Sequence, residues 1–136
     1  MTKLHAIAGL ALLGSMAVLD FIWLSLATPR FYRPKLGALL NDMPVWPAAI
    51  GFYLLYAAGV AYFVLRPALN DALPIGQAML QGAFLGLVAY GAYDLTNHAT
   101  LKNWPASVTL IDMAWGAVMT ALSVGAALWI ARRFAA

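Results

Sequence analysis

Four stretches of mostly apolar residues, each about 20 residues or longer, take up most of this chain. A helix rises 1.5 Å per residue, so about 20 such residues cross about 30 Å of hydrocarbon. The stretches occupy residues 4–28, 45–65, 73–97 and 107–130. Proline stands near every boundary. Pro29 is expected to end the first stretch, Pro44 and Pro47 lead into the second, and Arg66 with Pro67 closes it. Pro74 opens the third, and Pro105 precedes the fourth. This placement suits a residue that is tolerated at a helix start and stops a helix running into it. Periodicity does not separate strand from helix in runs this apolar, but length does: a membrane strand needs only about 9–11 residues and alternates. The expectation is an all-α fold, an integral membrane four-helix antiparallel bundle making a single domain over residues 1–136.

Composition excludes the soluble alternatives. Charged residues make up 10% of the chain, against roughly 25% in an ordinary soluble domain, too few to cover a water-facing surface of this size. The net charge of +3 comes from eight Lys and Arg against five acidic residues, all of them Asp. The basic residues sit at segment ends and not in a run. They anchor the chain to lipid headgroups, and no nucleic-acid partner is expected. With no cysteine, disulfides, thiolate metal sites and a cysteine nucleophile are excluded.

The first stretch has a basic start and a weak small-residue cleavage site at Ser25, Leu26 and Ala27. Its apolar run is too long for a cleaved signal, however, and Asp20 and Trp23 interrupt it, so it reads as a retained helix. Residues 29–44 form the one long connection. They carry Arg30, Arg33 and Lys35 beside Phe31 and Tyr32, a mixture suited to an interfacial linker at headgroup level or to a basic loop that anchors to phosphates. Four spans put both termini on one side. Lys3, Arg66, Arg132 and Arg133 stand on that side against Arg30, Arg33, Lys35 and Lys102 on the other. The even split leaves only the terminal amine to favour cytoplasmic termini. Because lipid offers no hydrophobic drive for helix pairing, close contacts should use small residues. Gly82 and Gly86 form the one GxxxG pair, and Gly9, Gly51, Gly59, Gly116, Ala121 and Gly125 offer other close approaches.

Three acids fall inside the stretches: Asp20, Asp94 and Asp112. An acid near a helix centre costs roughly 2.5–3.5 kcal/mol on insertion scales, so it faces protein or water and marks a functional site by default. Counting along antiparallel helices at 1.5 Å per residue puts Asp20 about 12 Å, Asp94 about 5 Å and Asp112 about 8 Å from the membrane face opposite the termini. All three lie in one leaflet. Trp23 and Trp115 follow Asp20 and Asp112 at i+3 and share their faces, where an indole N–H can donate to a carboxylate of its own or a neighbouring helix. Asn97 and His98 follow Asp94 at i+3 and i+4, Thr96 lies between, Tyr90 stands one turn earlier, and Thr109 precedes Asp112 by one turn. If these faces meet, they make a pocket of carboxylates, amide, imidazole and indoles. The bland alternatives are an aromatic belt of Trp23, Trp46, Trp104 and Trp115, an interfacial His98, and aspartates that serve packing alone. Three clustered carboxylates cannot all ionise in low dielectric unaided. A proton or a cation must join them, and Lys102, Arg30 or Arg33 could reach in to supply the charge.

The strings YGAYDLTN (residues 90–97), ATLKNWP (99–105), IDMAWG (111–116) and LDFIW (19–23) resemble family 2177 of the predicted membrane proteins of unknown function. The resemblance covers nearly the whole chain. It implies a bacterial four-helix inner-membrane protein and supplies no substrate, cofactor or catalytic role. Three functions follow from the residues. The first is a protein that binds or translocates protons, cations or a small polar ligand through Asp20, Asp94 and Asp112, with Asn97 and His98 at the mouth. The second is a membrane enzyme acting on a lipid or another amphiphile, with Mg²⁺, Mn²⁺ or Zn²⁺ held by Asp94, His98 and Asp112 if a metal is used at all. The third is an accessory or assembly subunit. Its partners would be lipids, further copies of the chain or another membrane protein.

Overall fold

The computed structural model describes residues 2–134; Met1, Ala135 and Ala136 lie outside them. Four helical spans, Lys3–Leu39, Trp46–Asn70, Ile75–Thr100 and Ala106–Phe134, are long and apolar enough to cross a membrane, and no strand occurs among the described residues. The protein is an all-α, four-helix membrane protein. Its outer faces present Leu10, Phe21, Leu55 and Leu80, each more than 70% exposed. Large apolar side chains so bare belong in lipid, where they need no cover.

The first span corrects the expectation that Pro29 ends a helix. Helix α1 (Lys3–Ala27) starts at Thr2, whose hydroxyl accepts the His5 N–H, and then passes into a π-helical turn at Thr28–Tyr32. Helix α2 (Arg33–Leu36) and a 3₁₀ turn at Gly37–Leu39 follow without a break. Residues 29–39 of the expected linker are therefore helix. The second span repeats the device: α3 (Trp46–Val60), a π turn at Ala61–Leu65, then α4 (Arg66–Asn70). Each π turn ends two residues before a proline, Pro34 in the first case and Pro67 in the second. A proline inside a helix has no N–H for the carbonyl four residues back and drives its ring against it. Widening the ladder by one residue, so that Arg33 bonds to the Thr28 carbonyl and Arg66 to that of Ala61, lets the helix continue past the conflict. Helices α5 (Ile75–Thr100) and α6 (Ala106–Phe134) are unbroken, and each runs a few residues beyond the apolar stretch that signals it.

The most extensive contact joins α5 to α6, followed by α1 on α6. Glycines let α5 and α6 approach. A Cβ on Gly82 would meet the Val124 side chain, one on Gly86 the backbone of Gly116, one on Gly116 the Tyr90 ring, and one on Gly125 the Met79 thioether. The GxxxG pair thus packs inside the bundle. Gly9, Gly51 and Gly59, by contrast, have open space around them and mediate no close approach. The second span touches its neighbours chiefly through the π turn at Ala61–Leu65, which reaches α1, α5 and α6. The main core of Leu12, Met16, Val60, Met119 and Leu128 fills the half of the bundle nearer the termini. A smaller cluster of Ala27, Tyr32, Trp104 and Val108 seals the opposite end. Between the two lie the acids.

Candidate functional site

The three aspartates divide into a single acid and a pair. Asp20 on α1 is saturated: the Tyr53 hydroxyl of α3 donates to Oδ2, and the Trp115 indole N–H of α6 donates to Oδ1 at 2.9 Å. One carboxylate therefore binds three helices together. The indole serves the acid of a neighbouring helix and not Asp112, its own i−3 neighbour. Trp23 lies flat on Trp115, with ring centroids 4.6 Å apart and planes 7° from parallel. Its N–H passes over Asp20 and donates to the Tyr32 hydroxyl at 3.1 Å, and Tyr32 in turn donates to Asp112 Oδ1 at 2.5 Å. The π turn is what sets Tyr32 here, because one extra residue rotates the chain after it by roughly a quarter turn or more.

Asp94 and Asp112 make the pair. Asp94 is completely buried, and neither of its carboxyl oxygens receives a hydrogen bond among the described residues. Asp112 of the facing helix lines the same cavity beside it. Ionised carboxylates only accept hydrogen bonds, so the two can bond to each other only if one carries a proton. Two bare negative charges in contact inside a membrane repel strongly, so a proton or a cation must join them. The basic residues that might have reached in stay outside: Arg30, Arg33 and Lys102 are exposed, and Arg30 lies near the Leu26 carbonyl of its own helix. Asp20 stands apart from this pair, joined to it through the stacked indoles and Tyr32. The single three-carboxylate pocket that the sequence allows is replaced by two linked stations.

Two cavities flank Asp112. One, of about 290 Å³, is walled by Phe52, Ala89, Tyr90, Tyr93 and Asp112. The other, of about 190 Å³, holds Asp94 and Asp112 beside Tyr32, Tyr93 and Trp104, under a roof from Thr28, Leu36 and Leu40. Tyr93 and Asp112 belong to both. Tyr90 lines the first cavity with Asp112, its ring 6.2 Å from that of Tyr56.

The remaining predicted residues are dispersed. His98 is exposed, and its Nδ1 meets the Thr109 hydroxyl at 3.2 Å, which also accepts the Trp104 indole N–H at 3.0 Å. The histidine is thus held to a threonine that also accepts an indole N–H, and not to the acids. No cluster of three or more His, Asp or Glu side chains able to hold a metal occurs among the described residues, and Asp94, His98 and Asp112 do not form one. Thr96 turns its hydroxyl back to the Ala92 carbonyl, and Asn97 is half-buried one turn beyond Tyr93. The sequence reading missed Tyr32, Tyr53, Tyr93 and Trp104. Of these, Tyr93 had a signal in plain view, lying one residue from Asp94 inside YGAYDLTN.

A family model described as predicted membrane protein (DUF2177) matches residues 5–129, a range that contains every residue of both stations. Neither a curated protein nor a solved structure matches the chain. The extent of the family match, together with four membrane-length helices, makes this chain a member of the DUF2177 family of predicted membrane proteins.

Proposed function

We propose that this multi-pass protein, in a bacterial inner membrane, binds one positive charge, a proton or a small cation, at the Asp94–Asp112 pair and exchanges it with the side opposite the termini. The observation that carries the reading is Asp94, wholly buried and, among the described residues, without a donor to either oxygen, beside a second acid in a cavity lined by no basic side chain. A structural aspartate would be expected to resemble Asp20, with a donor on each oxygen. Intramembrane acids that lack internal partners are the usual stations of ion and proton pathways. The linked donors Trp23 and Tyr32 hold Asp112 in place while its charge changes, and Tyr32 keeps one of its oxygens occupied.

Infrared difference spectra of the purified protein in phosphatidylglycerol nanodiscs test this, with pH stepped and then sodium or ethylammonium added at fixed pH. The expected result is a carboxyl C=O signal that responds to pH or to a cation, is lost in both Asp94→Asn and Asp112→Asn, and persists in Asp20→Asn. Spectra that respond to neither pH nor cation, or a response unchanged by both substitutions, would remove the pair as a charge-binding site.

A further inference from the structure

Resting on that reading, we infer that the cavity beside the pair is a binding site for an organic ammonium, whose charged end meets Asp112 and whose carbon body is enclosed by aromatic rings. Two carboxyl groups alone would not identify a ligand. The surroundings do. Tyr93 and Trp104 meet edge to face, with centroids 6.0 Å apart, and Tyr32 adds a third ring to the walls of the same cavity. Aromatic faces attract organic cations through their quadrupoles, most strongly where water is excluded. The remainder of the wall is aliphatic, from Leu24, Leu36, Leu40 and Val108.

This lining decides between kinds of cation. Calcium takes 6–8 oxygen ligands, and magnesium holds an octahedron of oxygens, several of them water. The cavity offers the Asp112 carboxyl with the covered Asp94 beside it, the Tyr32 hydroxyl already committed to Asp112, the hydroxyls of Thr28 and Tyr93, and otherwise mostly carbon. A hard ion would lose hydration that the wall does not replace. An alkylammonium loses little, because its apolar part gains from burial and its N–H groups need few acceptors. Asp94 is part of the same wall, its carboxyl oxygens covered and without a hydrogen-bond partner among the described residues. The size is also informative: about 190 Å³ is below the roughly 300–1,000 Å³ of drug-sized pockets, so a small amine or the end of a larger molecule fits. The second cavity continues past Tyr93 and Asp112 and could take a tail. Exposed Arg30, Arg33 and Lys35 lie along the roof segment, where a lipid phosphate would sit. The ammonium could therefore be free or carried on a headgroup.

Titration calorimetry of the protein in phosphatidylglycerol nanodiscs, which contain no amine, separates these sources. Ethylammonium is the free probe, short-chain phosphatidylethanolamine the lipid probe and sodium the inorganic reference. Saturable binding of ethylammonium supports a free amine; binding of the lipid alone supports a headgroup. In either case Asp112→Asn should weaken binding about tenfold or more. Tyr93→Leu, which leaves every charge in place, should weaken it about threefold. Circular dichroism confirms that both variants keep their helices. Failure of both amines to bind overturns the inference, as does sodium binding as tightly as they do or Tyr93→Leu leaving amine affinity unchanged. If the infrared response to pH survives any of these failures, the pair still binds a proton or inorganic ion, and only the organic ligand is lost.

Discussion

Gly86→Val is expected to separate α5 from α6 and to destabilise the protein by roughly 3 kcal/mol or more, at or beyond the upper end for overpacking of a tight contact. A Cβ at Gly86 would stand 2.9 Å from the Gly116 carbonyl carbon and 2.7 Å from the Thr120 hydroxyl oxygen. The first is backbone and has no rotamer by which to yield. The hydroxyl is committed as well, since it bonds to the Gly116 carbonyl and to Tyr56. In a membrane this contact has no hydrophobic effect behind it, only dispersion between close surfaces and a few hydrogen bonds, so a small outward shift forfeits much of it. The damage reaches the site. Asp94 lies two turns beyond Gly86 on α5, and Asp112 one turn before Gly116 on α6, so parting the helices at this crossing parts the two acids. Gly59→Ala is the matched reference. Nothing lies within 4 Å of a Cβ there, and the gain in helix propensity, up to about 1 kcal/mol, should leave it as stable as the native chain or slightly more so. Thermal unfolding followed by circular dichroism in nanodiscs checks both. Equal transitions for Gly86→Val and the native protein would show that α5 and α6 do not depend on this contact.

The same crossing shows what the sequence carries openly. Gly82 and Gly86 are a repeat of small residues on one helix face, and a pattern of that kind can be read without coordinates. The four spans are equally local, because length and apolarity are enough to derive them. Pro29, with Pro34 beyond it, and Pro67 show the limit. Proline ordinarily ends a helix, and the sequence holds no sign of the π turns that accommodate it. What carries the first helix onward is tertiary: Tyr32 beyond the turn is held by Trp23 and Asp112, in a cluster with Trp104 and Val108. The sequence therefore placed Tyr32 in an interfacial linker and left it out of the site. Tyr53 was hidden for another reason. Its span contains no acid, and its bond to Asp20 depends on how two helices are rotated about their axes. The Asp–Trp spacing at i+3 puts each indole on the same helix face as an acid of its own helix. It could not show that Trp115 would reach across to Asp20, or that Trp23 would stack on Trp115 and pass Asp20 by.

Replacing the three acids one at a time with leucine should give stability changes of opposite sign, and this contrast separates a binding site from a packing motif. Asp94→Leu is expected to stabilise the protein by about 1–2 kcal/mol, because a buried polar group without a partner is destabilising by roughly that much. The adjoining cavity of about 190 Å³ gives the added methyl groups somewhere to go. Asp112→Leu should destabilise by about 1–3 kcal/mol, since it leaves the Tyr32 hydroxyl without its acceptor. Asp20→Leu should be worse still, roughly 2–5 kcal/mol, as it strands the Tyr53 hydroxyl and the Trp115 N–H together. Denaturant titration in mixed micelles ranks the three against the native chain. If Asp94 served structure alone, its removal would break a buried pair, and Asp94→Leu would fall by about 3–5 kcal/mol, alongside the others. A more stable Asp94→Leu that has also lost the infrared response would mean that the native fold retains an acid working against its own stability. That combination follows from a residue kept for the charge it binds, because packing alone would favour the leucine.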